Sequence, residues 1–461
     1  MQKIGLLLFF VVGMLSMSEA QHLKRKGSLG VGYYTAIPDS VSNALALKDK
    51  KGTLVRFVVP NSTAEALNVQ ANDLISHIND KNVENPNDFL AMAKQLRADD
   101  AISVQLWRKD KALTLTSKVK AKPIEQNELA DILYDEVAFD KGYLRTILKT
   151  PKGKKPLGTV YCLQGISCYS IDNVQKGDPI RDIMDGFLKN GFAVFCVEKA
   201  GMGDSDSPMP CATMGFHQEA ELFKEGYREL LTYKEIDKEN IFLFGHSLGG
   251  VTAPIVAQEF QPKGIIVYGT VLKPWFDYLL DIHKEQGVLY GADLALLQDT
   301  IEMMKPTLYE VFYNQKRPEI LAKDPKHLWA LERSLEYKPS GECLAGRTWY
   351  FHKEVNEVNL AKAWKNTKSY TLAVYGGADI AALNSRGHEE IASYVNQNHP
   401  DKGTYLFLPN TNHTLQEVGT MQELISMEGT PEFPKFAAEH FNWKGIDQMC
   451  AWMKDKTGKK L

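Results

Sequence analysis

At 461 residues, 44% hydrophobic and 24% charged, the chain is too long for one compact core, and two domains, one of them large, are expected. Its 54 basic and 57 acidic side chains nearly cancel to a net charge of −3, which gives no reason to expect a nucleic-acid partner and supports no bulk statement about the sign of a substrate. The first twenty residues stand apart. Lys3 precedes the apolar run "IGLLLFFVVGML", and Ser18-Glu19-Ala20 puts small residues at a cleavage site, so 1–20 is expected to be a signal peptide. The run is short for a bilayer, so no stable membrane span is expected after cleavage near Gln21, with a retained anchor as the alternative. No cysteine follows the cut, as a lipoprotein would need. The protein is expected to be exported, periplasmic or extracellular. Its six cysteines do not form a disulfide framework: Cys162 and Cys196 fall in apolar strand-like runs, while Cys168 and Cys211 lie in loops able to approach each other. No spacing fits a zinc site.

Residues 28–120 form a self-contained pattern. "GTLVRFVV" alternates like a strand and "DLISHIND" reads as a second strand with a turn. "NPNDFLAMAKQLRA" has helical spacing with a cap at Asn85 to Asn87, and "AISVQLWRKDKALTLTSKV" reads as a hairpin turning at "KDKA". A small α+β or barrel-like module is expected. Polar, proline-containing "KAKPIEQNELA" marks a linker at 121–130. After it come an antiparallel pair, "YDEVAF" and "YLRTILKT", and six apolar strands alternating with helices: "GTVYCLQG", "FAVFCVEK", "NIFLFGHS", "GIIVYGT", "YTLAVYGGAD" and "TYLFLPN". Continuous apolar runs suit a mainly parallel sheet covered on both faces.

In such a sheet, chemistry gathers at the carboxyl ends of the strands. "GHSLGG" places Ser247 between Gly245 and Gly249, after a strand and before the helix-like "VTAPIVAQEF". That is the pattern of a nucleophile on a sharp turn whose neighbours leave no room for a Cβ. A serine hydroxyl needs a base, and the base an orienting acid. Asp379 ends "YGGAD", with helix capping as its alternative role, and His413 follows "TYLFLPN" in "NTNHTL", with a plain surface position as its alternative. His246 is committed to the turn and His388 to the intervening helix; His217 remains a candidate substrate contact. Oxyanion donors are expected from the N–H groups of Leu248 and Ile166, with Gly165 supplying the turn and a plain glycine loop as the alternative.

Two resemblances follow from these motifs. Residues 28–120 resemble a PDZ domain of the bacterial, protease-associated kind, whose Ser-Pro-Ala, Gly-Leu, Gly-Asp pattern appears here as "NSTAEALNVQANDLISHINDKNV". Asn68 and Asn72 stand at the family's two glycines, and Asn is the side chain that best tolerates positive φ. By this resemblance "SLGV" (Ser28, Leu29, Gly30, Val31) is the carboxylate-binding loop, where a peptide or protein C-terminus would add as a strand; a domain that only packs against or spaces its neighbour is the alternative. Residues 131–456 resemble the α/β-hydrolase superfamily, in its serine esterase and aminopeptidase-like branch. The family's Asp-x-Arg-Gly-x-Gly-x-Ser reads here as "EKAGMGDSDSP", departing at Glu198 and Ala200, and its His-Gly before the oxyanion donor reads Gln164-Gly165. The insertion at 271–366, rich in helical patterns and aromatics such as Trp275, Phe276 and Tyr278, is by the same resemblance a cap over the active site. An exported serine hydrolase is expected, cleaving a small-molecule carboxylic ester through an acyl-enzyme on Ser247, without metal or organic cofactor. A peptidase, an aminopeptidase, a thioesterase and a non-enzymatic PDZ adaptor are the alternatives.

Overall fold

The computed structural model describes residues 22–45, 47 and 51–458, so the expected signal peptide lies outside the described residues. The N-terminal module is a sheet of short strands: β1 (Val31–Tyr33), β2 (Thr53–Val58), β3 (Leu74–Ile78), β4 (Lys81–Asn82), β5 (Ala101–Arg108) and β6 (Lys111–Lys118). Its order is β1-β2-β3-β5-β6, with β4 hydrogen-bonded to β3. The expected hairpin is β5–β6, closed at Arg108 opposite Lys111. The expected helix runs Pro86–Ala93, with the Asn85 side chain accepting from the N–H groups of Asn87 and Asp88. Two short helices went unforeseen, Asp39–Ala44 and Thr63–Ala66. The second is a single turn inside the "NSTAEA" stretch, capped by Ser62. Asn68 and Asn72 have φ of 59° and 71°, so the backbone demand carried by glycine in the resembling family persists here.

The C-terminal module begins with an antiparallel pair, β7 (Ala130–Phe139) and β8 (Gly142–Pro151). It continues through β9 (Thr159–Leu163), β10 (Ala193–Val197), β11 (Ile241–His246) and β12 (Gly264–Tyr268). An insertion then carries helices Trp275–Leu289, Leu294–Phe312, Pro318–Leu321, Pro325–Leu335, Trp349–Glu357 and Leu360–Lys365, with a two-stranded ribbon of β13 (Glu342–Cys343) and β14 (Arg347–Thr348). The sheet closes with β15 (Tyr370–Gly376) and β16 (Gly403–Leu408). Among the described residues the order is β16-β15-β12-β11-β9-β10-β8-β7, parallel from β16 to β10 and antiparallel at β8 and β7.

Both faces of this sheet are covered. Phe242, Phe244, Val194 and Ile266 pack with Phe187 and Met449 on one side; Leu243, Val267, Phe195 and Tyr161 pack with Phe223 and Val256 on the other. Each such buried aliphatic or aromatic side chain contributes about 1.5–3 kcal/mol, which is why the strands read as unbroken apolar runs. The segment expected as a linker is anchored at its centre: Glu125 is buried and paired with Lys149 at 2.8 Å, and Asn127 donates to Asp185. The basic triplet after residue 23 also has a structural use. Arg25 reaches Asp172 at 2.6 Å and Asp204 at 2.8 Å, and the Lys26 N–H donates to Asp204, tying the chain ahead of the first sheet to loops of the second.

Candidate active site

Ser247 sits immediately after β11 and two residues before the helix Gly249–Phe260, at φ of 54°, a left-handed conformation rare for a residue with a Cβ. The turn exists because its neighbours are glycines: a Cβ on Gly249 would lie 2.1 Å from the Leu163 carbonyl oxygen, and one on Gly245 would lie 2.6 Å from the Gly249 carbonyl oxygen. The Ser247 N–H donates to the Tyr268 carbonyl and its own carbonyl accepts from Gly250, so the strained residue is held from both sides. Leu248 follows as the helix N-cap, where backbone N–H groups lack intrahelical acceptors.

Asp379 follows β15 and is fully buried, its Oδ1 accepting from the N–H groups of Ala381 and Ala382 at 2.9 and 2.8 Å. It therefore does cap a turn, yet it also faces His413, whose Nδ1 lies 3.0 and 2.9 Å from its two oxygens. Burial pushes the Asp379 carboxyl up, but the His413 charge and hydrogen bond, together with the two backbone donors, bring it below its ordinary value. Conversely, burial lowers His413, but Asp379 outweighs it and raises the imidazole above its ordinary value. The carboxylate and the imidazole thus shift each other toward the charged pair.

The remaining histidines have other partners. His246 is held neutral, near a pKa of about 4, by burial and the His413 charge, and its Nε2 lies 2.7 Å from the His413 carbonyl oxygen. His388 is buried and accepts from the Thr270 N–H, also with its pKa lowered to about 4 by burial. His217 lies on the surface, with its ring nitrogen 3.8 Å from Glu357, outside the cavity that holds Ser247.

That cavity, about 310 Å³, is lined by Ser247, Leu248, Ile166 and His413. The helical insertion adds Trp275, Tyr278, Leu279, Ile282 and Leu344 to the lining, with His283, Gln286, Arg333 and Glu336 as a polar portion. Of the aromatics singled out in the sequence, Trp275 and Tyr278 line the cavity, Phe276 and Phe312 are core, and Tyr290, Tyr309 and Tyr313 are exposed.

The loop after β9 is tied down by residues whose part the sequence reading missed. Lys199 donates to the Gly165 carbonyl at 2.5 Å and pairs with Glu219 at 2.9 Å. Arg347, from the insertion, donates to the Ile166 carbonyl at 3.2 Å and lies 2.8 Å from Glu219. Cys168 and Cys211 form a disulfide beside them. Glu198 accepts from Ser170, Ile171 and Asp172, holding the next turn of the same loop. The available signal was a Glu-Lys pair at the end of an otherwise apolar strand. In the N-terminal module, Ser28 to Gly30 precede β1, with Gly30 at φ of 73°, and Val31 is already the first residue of that edge strand.

Residues 177–415, about half of the chain, match the family model of the S33 serine aminopeptidases, and residues 30–119 match the PDZ domain model. A probable periplasmic serine endoprotease, DegP-like, from Marinomonas sp. (strain MWYL1) is 24% identical over 132 residues, which span 28% of this chain and 28% of that relative. Among solved structures, Est1E from Butyrivibrio proteoclasticus aligns at 11% identity and a TM-score of 0.43, over 71% of this chain and 99% of its own. The uncomplexed acylaminoacyl peptidase of Pyrococcus horikoshii aligns at 11% identity and a TM-score of 0.43, over 79% of this chain and 49% of its own.

Proposed function

This chain belongs to the S33 serine aminopeptidase family of hydrolases, an α/β-hydrolase fold preceded by a PDZ domain, and from that premise we propose that it is a serine esterase working through Ser247. Ser247 attacks the ester carbonyl while His413 takes its proton, and the N–H groups of Leu248 and Ile166 receive the oxyanion. His413 returns the proton to the departing alcohol, leaving an acyl-enzyme. Water, deprotonated by the same imidazole, then releases the acid and restores Ser247. Asp379 keeps Nδ1 of His413 protonated and stabilises the imidazolium. The observation that carries the reading is the contact of buried Asp379 with His413, which lines the same cavity as a serine at φ of 54°.

The ester preference rests on the apolar lining that Leu248, Trp275, Leu279, Ile282 and Leu344 contribute, which suits an acyl group. Glu336 in the polar portion favours a second reading, an aminopeptidase whose substrate ammonium it would meet. Turnover of p-nitrophenyl butyrate, a butyryl thioester and an aminoacyl p-nitroanilide separates them: the ester is expected fastest, and faster turnover of the anilide would favour the second reading.

The PDZ domain is proposed to take a peptide or protein C-terminus at Ser28–Val31, supported by the position of β1 at a sheet edge open to strand addition. Calorimetric binding of a free-carboxylate peptide, lost on C-terminal amidation, is the expected result. Export belongs to the same reading. It is supported by the signal-peptide pattern of residues 1–20 and by the name of the DegP-like relative.

A further inference from the structure

The peptide unit joining Gly165 to Ile166 carries two opposed loads. Its N–H belongs to Ile166, the oxyanion donor of the proposed reaction, and its carbonyl belongs to Gly165, which accepts from the Lys199 ammonium at 2.5 Å. The described peptide bonds are all trans, so this N–H and C=O point in opposite directions. Lys199 thus pulls on the buried side of the amide whose other side would meet the oxyanion. The next carbonyl, that of Ile166, accepts from Arg347 at 3.2 Å, so two successive peptide planes are pinned by cations.

These cations are built into the interior. Lys199 and Arg347 are fully buried, and both lie within 2.9 Å of the one buried carboxylate of Glu219. Two cations share one anion, which leaves positive charge to be taken up by the loop carbonyls. Arg347 also stacks over Phe351 at 3.7 Å, and its Nη1 lies 2.8 Å from Cys211 Sγ in the disulfide that fixes Cys168, two residues beyond Ile166. Burial lowers the Lys199 ammonium to about 8, with Glu219 opposing that fall and Arg347 adding to it, so it is charged at neutral pH.

We propose that Lys199 and Arg347, paired with Glu219, are positioning residues for the Ile166 N–H as an oxyanion donor: Lys199 orients and polarises the Gly165–Ile166 amide, and Arg347 fixes the peptide plane that follows it. A hydrogen bond to an amide carbonyl strengthens the donor at the other end of the same unit, and a preset donor costs no reorganisation when charge develops. This inference rests on the serine hydrolase reading above.

The test uses the full chain and the variants Lys199→Met, Arg347→Met and Lys199→Gln, with Ser247→Ala alongside. Either methionine variant leaves one cation on Glu219, a neutral pair, and Lys199→Gln keeps a donor for the Gly165 carbonyl. Folding is checked by circular dichroism and thermal melting. With p-nitrophenyl butyrate, Lys199→Met is expected to lower kcat about 10- to 100-fold, short of the ~10²–10³ for deleting a donor outright. KM should stay within about twofold, affinity for a serine-directed boronic acid should fall in parallel with kcat, and Lys199→Gln should recover part of both. A purely structural role would not couple boronate affinity to kcat at constant KM. Folded Lys199→Met and Arg347→Met with unchanged kcat and boronate affinity overturn the proposal; failure of all three variants to fold assigns the cluster to folding alone and also overturns it. Turnover retained in Ser247→Ala overturns the underlying reading instead.

Discussion

His246, the residue before Ser247, reaches His413 rather than the cavity: its Nε2 lies 2.7 Å from the His413 carbonyl oxygen, and the two rings lie 4.9 Å apart. Because His246 is neutral and its partner is a carbonyl, Nε2 must carry the proton and donate. The residue that enters the serine turn therefore also holds the backbone of the proposed base.

Replacing His246 with Phe keeps a ring but leaves the His413 carbonyl unpaired, at a cost of about 1–3 kcal/mol. It is expected to lower kcat roughly 10- to 100-fold, the penalty of a slightly misplaced base. Steady-state kinetics with a p-nitrophenyl ester measures this; unchanged kcat would remove His246 from the positioning of His413.

The pH profile tests the Asp379–His413 pair. As a base, His413 must be neutral in free enzyme, and Asp379 raises its pKa above the ordinary value. The acid limb of kcat/KM is therefore expected above about 6.5. In Asp379→Asn burial acts on the imidazole without the carboxylate opposing it, so the limb should move below that value while kcat falls by about 10⁴. A limb that stays in place would exclude His413 as the titrating base.

Gly249→Ala puts a Cβ 2.1 Å from the Leu163 carbonyl oxygen, which is backbone and cannot rotate away. A loss of about 1–3 kcal/mol is expected from such overpacking, with loss of activity beyond what unfolding explains. Urea denaturation beside activity measurement checks both.

The cavity predicts chain-length selection. Ile282 on the insertion faces the space that Ser247 also lines. Enlarging it to Phe is expected to cut kcat/KM for p-nitrophenyl octanoate about tenfold while leaving the acetate unchanged. Equal effects on both esters would place the acyl chain elsewhere.

Much of the architecture was legible because its causes are local. The strand–Gly-x-Ser-x-Gly–helix pattern, unbroken apolar strands and the Asn85 cap each follow from a few neighbouring residues. Asp379 and His413 could be proposed as partners because both follow strands in the order such a site requires. The brace beneath the Ile166 loop was not legible. Lys199, Glu219 and Arg347 lie on a strand end, a helix and the insertion, and only tertiary packing makes one carboxylate serve two cations. Cys168 and Cys211 could be brought near each other on paper, but only the fold joins them. Arg25 reads in sequence as part of a basic triplet after a leader, because its partners Asp172 and Asp204 lie far along the chain.

The most direct test of the central claim is labelling of intact protein with a fluorophosphonate, followed by mass spectrometry of the adduct. One adduct, on the peptide containing Ser247, is expected in the native sequence, lost in Ser247→Ala and sharply slowed in His413→Ala. Labelling that persists in Ser247→Ala would contradict the account.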